Sequence, residues 1–186
     1  MKNSVDITRK YQFFYMLGRH FAAVGICFVI EAVAFLSFFT KPVAQYICSG
    51  VFTVVYCGIL YSAASRLAGF DRKPYTPLKP ELKWGVMWGV MISLIIGLFL
   101  VMYKINWAVN NNPDNGMVLF IINIIFYICA APFWGFIGAN GAIPIWTVVL
   151  MLVAPIVACT LGYHAGAKNF DIITKLDSMT FEKDDK

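Results

Sequence analysis

Residues 117–163 run for 47 positions without a single Asp, Glu, Lys, Arg or His, and three further apolar runs of spanning length precede them. A hydrocarbon core about 30 Å thick needs roughly 20 apolar residues per helical crossing, so this run alone is long enough for up to two. Periodicity and length together place the chain in a lipid bilayer as an all-α bundle of helices. The remaining composition agrees. Hydrophobic residues make up 60% of the 186 and charged residues 13%, against roughly 25% charged in soluble domains, and the mean hydropathy is +0.70. About five hydrophobic segments leave connections too short for a soluble domain, so residues 1–186 form a single membrane domain.

The net charge of +5 comes from 15 Lys and Arg against 10 Asp and Glu. The basic residues are not gathered on one helix face as nucleic-acid contacts would be; they stand at the ends of apolar runs, where they orient a membrane protein. Nucleic acid is therefore not an expected partner, whereas the bilayer and its anionic headgroups are. The five cysteines all lie inside apolar runs with no Cys-x-x-Cys pair, which fits buried free thiols. The first apolar stretch is long, aromatic and interrupted by Glu31, without a small-x-small cleavage site, so an uncleaved insertion signal is expected.

Along the chain, residues 1–20 alternate basic and aromatic side chains (Arg9, Lys10, Tyr11, Phe13, Phe14, Tyr15, Arg19), a pattern suited to the membrane interface. The first span is expected over 21–39 and the second over 43–65; the Lys41-Pro42 connection forces a tight antiparallel hairpin. A basic loop follows at 66–83, then a third span at 84–103. After it the Asn-rich stretch 106–116 carries turn signals. The segment 117–142 contains PFWGFIGANGAIP, whose glycines and flanking prolines break a helix. Backbone groups freed there must be covered by protein or face water, so 117–142 is expected to be a broken or re-entrant element. A last span follows at 144–163, and the tail, 164–186, sets Phe170, Ile173 and Leu176 on one face of a short amphipathic helix. Four full crossings result, with five as the alternative. The N-terminal segment and the 66–83 loop hold nine Lys and Arg, and the two opposite connections only Lys41 and Lys104. That asymmetry puts the N-terminus in the cytosol of a plasma-membrane protein.

Few residues carry chemistry. Glu31 lies near the middle of the first span, where a charged acid costs on the order of 3 kcal/mol, so a protonated carboxyl bonded to a neighbouring helix is expected. Ser49, Thr53, Tyr56, Ser62 and Asn123 are its candidate partners. Two roles fit Glu31, Tyr56 and Asn123: a proton- or cation-coupled site, or a packing site inside the bundle. Gly85-x-x-x-Gly89 and Gly162-x-x-x-Gly166 are spacings that let helices approach closely, either within the chain or in a dimer. His20 and His164 stand at span ends, at headgroup level. In the cytosolic loop, Pro74, Pro77 and Pro80 recur every third residue and favour a stiff extended turn that displays Lys73, Tyr75 and Lys79 to a partner or to anionic lipid. No HExxH, GxSxG, phosphate-loop, paired-carboxylate or cofactor-binding pattern occurs, which points away from an enzyme and from a cofactor or metal.

Pro155, Gly162-Tyr163, Gly166, Ile172 and Lys175-Leu176 together resemble the ending of small multi-span membrane proteins of Gram-positive, Clostridia-type bacteria. The resemblance covers about 25 residues and implies a bacterial plasma membrane, with no activity attached. The expected role is a non-enzymatic subunit or accessory component beside another membrane protein or a second copy. The alternative is a small oligomeric proton- or cation-coupled transporter or channel using Glu31.

Overall fold

The computed structural model describes residues 2–37, 42–73, 78–109, 116–137 and 142–168. Five α-helices and one 3-10 helix are present there: α1 (Lys2–Ser37), α2 (Pro42–Asp71), α3 (Leu82–Val109), α4 (Gly116–Cys129), the 3-10 helix (Ala131–Phe136) and α5 (Ile145–Ala167). The proline positions explain several boundaries. Pro42 opens α2, where its missing N–H costs nothing. Pro132 falls in the first turn of the 3-10 helix and helps stop α4, and the carbonyl of Pro144 accepts the first bonds of α5 from Thr147 and Val148.

Four helices are long and apolar enough to cross a membrane, over Thr8–Val33, Val43–Asp71, Leu82–Ile105 and Ile145–Ala167. The shortest, α5, has 23 residues, about 35 Å at 1.5 Å per residue. By contrast α4 has 14 residues, about 21 Å, short of the ~30 Å core. The protein is thus an all-α bundle of four spans plus one broken apolar element. Its surface carries the large aliphatic side chains outward, with Val54 71% and Leu94 69% exposed, as expected where lipid is the solvent.

Two expected boundaries differ. The segment 1–20 is not separate from the first span: α1 is continuous for 36 residues, because no proline interrupts it and Gln12, Met16, His20, Ala23, Val24, Cys27 and Glu31 form one buried stripe at helical spacing. The basic loop is also shorter than 66–83, since α2 continues to Asp71 and α3 begins at Leu82. The amphipathic helix expected in the tail lies outside the described residues beyond Lys168.

Inter-helix contacts define the topology. Arg9 of α1 meets Asp71 of α2, His20 meets Tyr56 and Glu31 meets Ser49, a descending register that makes α1 and α2 antiparallel. Helix α5 lies between α2 and α3, antiparallel to α3 and parallel to α2. Tyr163, near the end of α5, also reaches Asp71, so the start of α1, the end of α2 and the end of α5 share one side of the bundle. Helix α4 packs on α3 through the stacked rings of Tyr103 and Phe126, 4.1 Å apart.

Candidate functional site

The buried polar groups between the helices fall into three levels. At the end shared by the N-terminus, the Asp71 side chain is fully buried and the Arg9 side chain 12% exposed, with Arg9 Nη1 2.8 Å from Asp71 Oδ2. Gln12 Nε2 donates to Asp71 Oδ1 at 2.5 Å, the Tyr163 hydroxyl donates to Oδ2 at 2.5 Å, and Arg9 also donates to Gln12 Oε1 at 2.6 Å. The Arg9 guanidinium sits 3.9 Å over the Trp84 ring, a cation–π contact. One carboxylate therefore gathers groups from α1, α2 and α5, and through Arg9 it also engages α3.

At the next level along α1, His20 and Tyr56 are both fully buried and share a hydrogen bond between His20 Nδ1 and the Tyr56 hydroxyl at 3.0 Å. Tyr56 meets Phe133 of the 3-10 helix edge-on at 5.8 Å. His20 Nε2 has no hydrogen-bond partner among the described residues.

At the third level Glu31 is 7% exposed. The Ser49 hydroxyl donates to Glu31 Oε1 at 3.3 Å and accepts from the Gly135 N–H at 2.6 Å. Glu31 Oε2 has no hydrogen-bond partner among the described residues. A Cβ at Gly135 would lie 2.3 Å from the Gln45 carbonyl oxygen, so only glycine lets the 3-10 helix come this close to α2. Thr53 donates to the Pro132 carbonyl at 2.8 Å and Thr147 to the Phe136 carbonyl at 3.2 Å. Side chains of α2 and α5 thus satisfy backbone that a broken helix leaves open, which is what lipid demands.

Of the residues selected from sequence, Glu31 is paired with one of its expected partners, Ser49, whereas Tyr56 pairs with His20 two helical turns away. Asn123 is half-buried on α4 and has interactions of its own. The glycines lie at helix contacts within the chain. A Cβ on Gly85 would stand 2.7 Å from Tyr163 Cβ, and one on Gly89 2.5 Å from Ile156 Cα, both in α5; Cβ atoms on Gly162 and Gly166 would stand 2.3 and 2.1 Å from the Tyr61 and Ser65 carbonyl oxygens of α2. In the loop, Lys73 and Lys79 are exposed and Pro80 half-buried, while Pro74, Tyr75 and Pro77 lie outside the described residues. Exposed Glu81 is held below the ordinary carboxylate value by the hydrogen bond it accepts from Lys83. All five cysteines are free.

His20 is the main correction. It is buried against the neighbouring helices rather than open to headgroups and water, because the stripe of α1 that faces the bundle runs back from Ala23 through His20 and Met16 to Gln12, ahead of the apolar run. The cluster around Asp71 went unselected for the same reason. The available signal was the i, i+4 series Gln12, Met16, His20, which extends the buried stripe back into the charged segment. Among the described residues, no three His, Cys, Asp or Glu side chains come together as a metal ion would require. No family model, curated protein or solved structure matches this chain.

Proposed function

We propose that this integral membrane protein is a non-enzymatic accessory component of a larger assembly in a bacterial plasma membrane, with its N-terminus, its prolyl loop and the end of α5 in the cytosol. The observation that carries the reading is the Asp71 cluster: the buried ion pair is consumed in holding four helices together. Few polar groups among the described residues then remain to line a path. Nine Lys and Arg on one side against two on the other support the orientation. The test is affinity purification of the tagged full chain in mild detergent. A stoichiometric second membrane protein supports the role, and recovery of the chain alone after in-cell cross-linking refutes it.

A second reading, a small oligomeric proton- or cation-coupled carrier, is favoured by one feature, the unpartnered Oε2 of Glu31 at the end of the Gly135–Ser49 hydrogen-bond chain. Glu31→Gln would abolish proton-coupled flux in reconstituted vesicles under that reading, and would change little if Glu31 only packs.

A further inference from the structure

Two features of the outer surface lie on either side of Gly58 and neither is explained by bundle packing. Between α1 and α2 is a cleft of about 280 Å³ whose lining includes Tyr15, Arg19, Ser62 and Arg66 over a floor containing Gly58. Arg19 and Arg66 are both exposed. Among the described residues neither forms an ion pair; the contact found for Arg19 is with the Tyr15 ring, 5.1 Å from its guanidinium carbon. Between α2 and α5 is an open groove of about 760 Å³ lined by apolar side chains from Val54 to Tyr61 and from Trp146 to Leu161, again with Gly58 in its wall.

The two arginines stand where charge gives way to apolar sequence. Residues 43–65 of α2 carry no charge, and between Arg19 and Glu31 there is none but His20. The cleft is therefore at headgroup depth and the groove runs deeper. Its α5 wall, from Trp146 to Leu161, extends about 22 Å, more than the ~15 Å of one leaflet of the hydrocarbon core. Gly58 leaves the ridge between them low, since a Cβ there meets nothing within 4 Å.

We infer that the cleft and groove together bind one anionic phospholipid of the cytosolic leaflet, its phosphodiester on Arg19 and Arg66 and one acyl chain laid over Gly58 between α2 and α5. Arginine forks match phosphate oxygens, and the Ser62 and Tyr15 hydroxyls are further donors. Two positive charges with no ion-pair partner among the described residues select a headgroup of net negative charge; a choline headgroup would bring a third positive charge into the cleft. The site is independent of the accessory role proposed above.

Native mass spectrometry of the full chain in mild detergent, titrated with phosphatidylglycerol or phosphatidylcholine, tests this. The expected result is retention of one phosphatidylglycerol, at least tenfold in preference to phosphatidylcholine and undiminished by millimolar inorganic phosphate. Arg19→Gln with Arg66→Gln should remove the preference. Gly58→Phe, whose Cβ meets nothing within 4 Å, raises the ridge and leaves both arginines in place, and should lower retention of both lipids about tenfold. Equal retention by the wild type and either variant overturns the proposal. Displacement by free phosphate overturns it too, as does cross-linking of a cysteine at Val54 or Val157 to another polypeptide in place of lipid.

Discussion

Removing the ion pair between Arg9 and Asp71 by a double-mutant cycle measures how firmly the N-terminal half of α1 is held. Breaking a buried pair by deleting one partner costs about 3–5 kcal/mol when the survivor is stranded. The two partners are not equally stranded. After Asp71→Asn the amide oxygen still accepts from a neutral donor, the Arg9 guanidinium keeps Gln12 Oε1 at 2.6 Å and the Trp84 ring at 3.9 Å, and its side chain is already 12% exposed, so a loss of about 2 kcal/mol is expected, below that range. After Arg9→Met the fully buried Asp71 keeps two neutral donors, Gln12 and Tyr163, but loses the Arg9 charge, so the loss belongs at the upper end, about 4 kcal/mol. The double variant strands no charge and should lose no more than Arg9→Met alone. The coupling is then at least about 2 kcal/mol, well above the ~0.5 kcal/mol scatter of independent sites. Denaturant titration of the detergent-solubilised protein, followed by tryptophan fluorescence, gives all four corners. Additive losses, or a coupling below ~0.5 kcal/mol, would refute the assignment of Asp71 as the organising group.

Other outcomes follow from single contacts. Gly89→Leu, which drives a side chain into the α5 backbone at Ile156, should cost about 3 kcal/mol or more, whereas Gly58→Leu, whose Cβ meets nothing within 4 Å, should not lower stability; thermal melts monitored by size-exclusion chromatography compare them. Ser49→Ala strands the Gly135 N–H and should cost about 1–3 kcal/mol, while Glu31→Gln keeps an oxygen to accept from Ser49 and should cost less than half as much in the same assay. Single cysteines replacing Lys79 and Lys168, in a chain whose own cysteines are changed to serine or alanine, should react with an impermeant maleimide from one side of the membrane and a cysteine at Lys104 from the other. Reaction of Lys79 and Lys168 variants from opposite faces would contradict the shared end set by Asp71 and Tyr163.

Legibility in the sequence followed the range of the cause. Spans show because twenty apolar residues are a local property, and the break after Cys129 shows because proline and glycine act on their own backbone. The Glu31–Ser49 contact was within reach because Lys41-Pro42 allows only a tight hairpin, which brings residues equidistant from the turn to one level. Gly85, Gly89, Gly162 and Gly166 announced close helix contacts by spacing, but not that α5 receives one pair and supplies the other. The pairing of Arg9 was not legible because a basic residue beside aromatics has the same local pattern at a headgroup as in a buried pair. Its partner is 62 positions away, and nothing local links them.

The distribution of contacts also assigns different adhesives to different helices. Lipid tails are as apolar as leucine, so burial of aliphatic surface does little to join spans, and close backbone packing or hydrogen bonding must do it. Helix α5 uses the first means, with glycines at both of its faces where α2 and α3 approach. Helix α1 has two glycines within its span, Gly18 and Gly25, and a Cβ on either would meet nothing within 4 Å; its backbone is not held close at those points. What fastens α1 is polar: Arg9 and Gln12 to Asp71, His20 to Tyr56 and Glu31 to Ser49. Loss of those bonds should therefore loosen α1 while α2, α5 and α3 stay joined, and the cleft bearing Arg19 and Arg66, whose two walls are α1 and α2, should open before the glycine-packed core does.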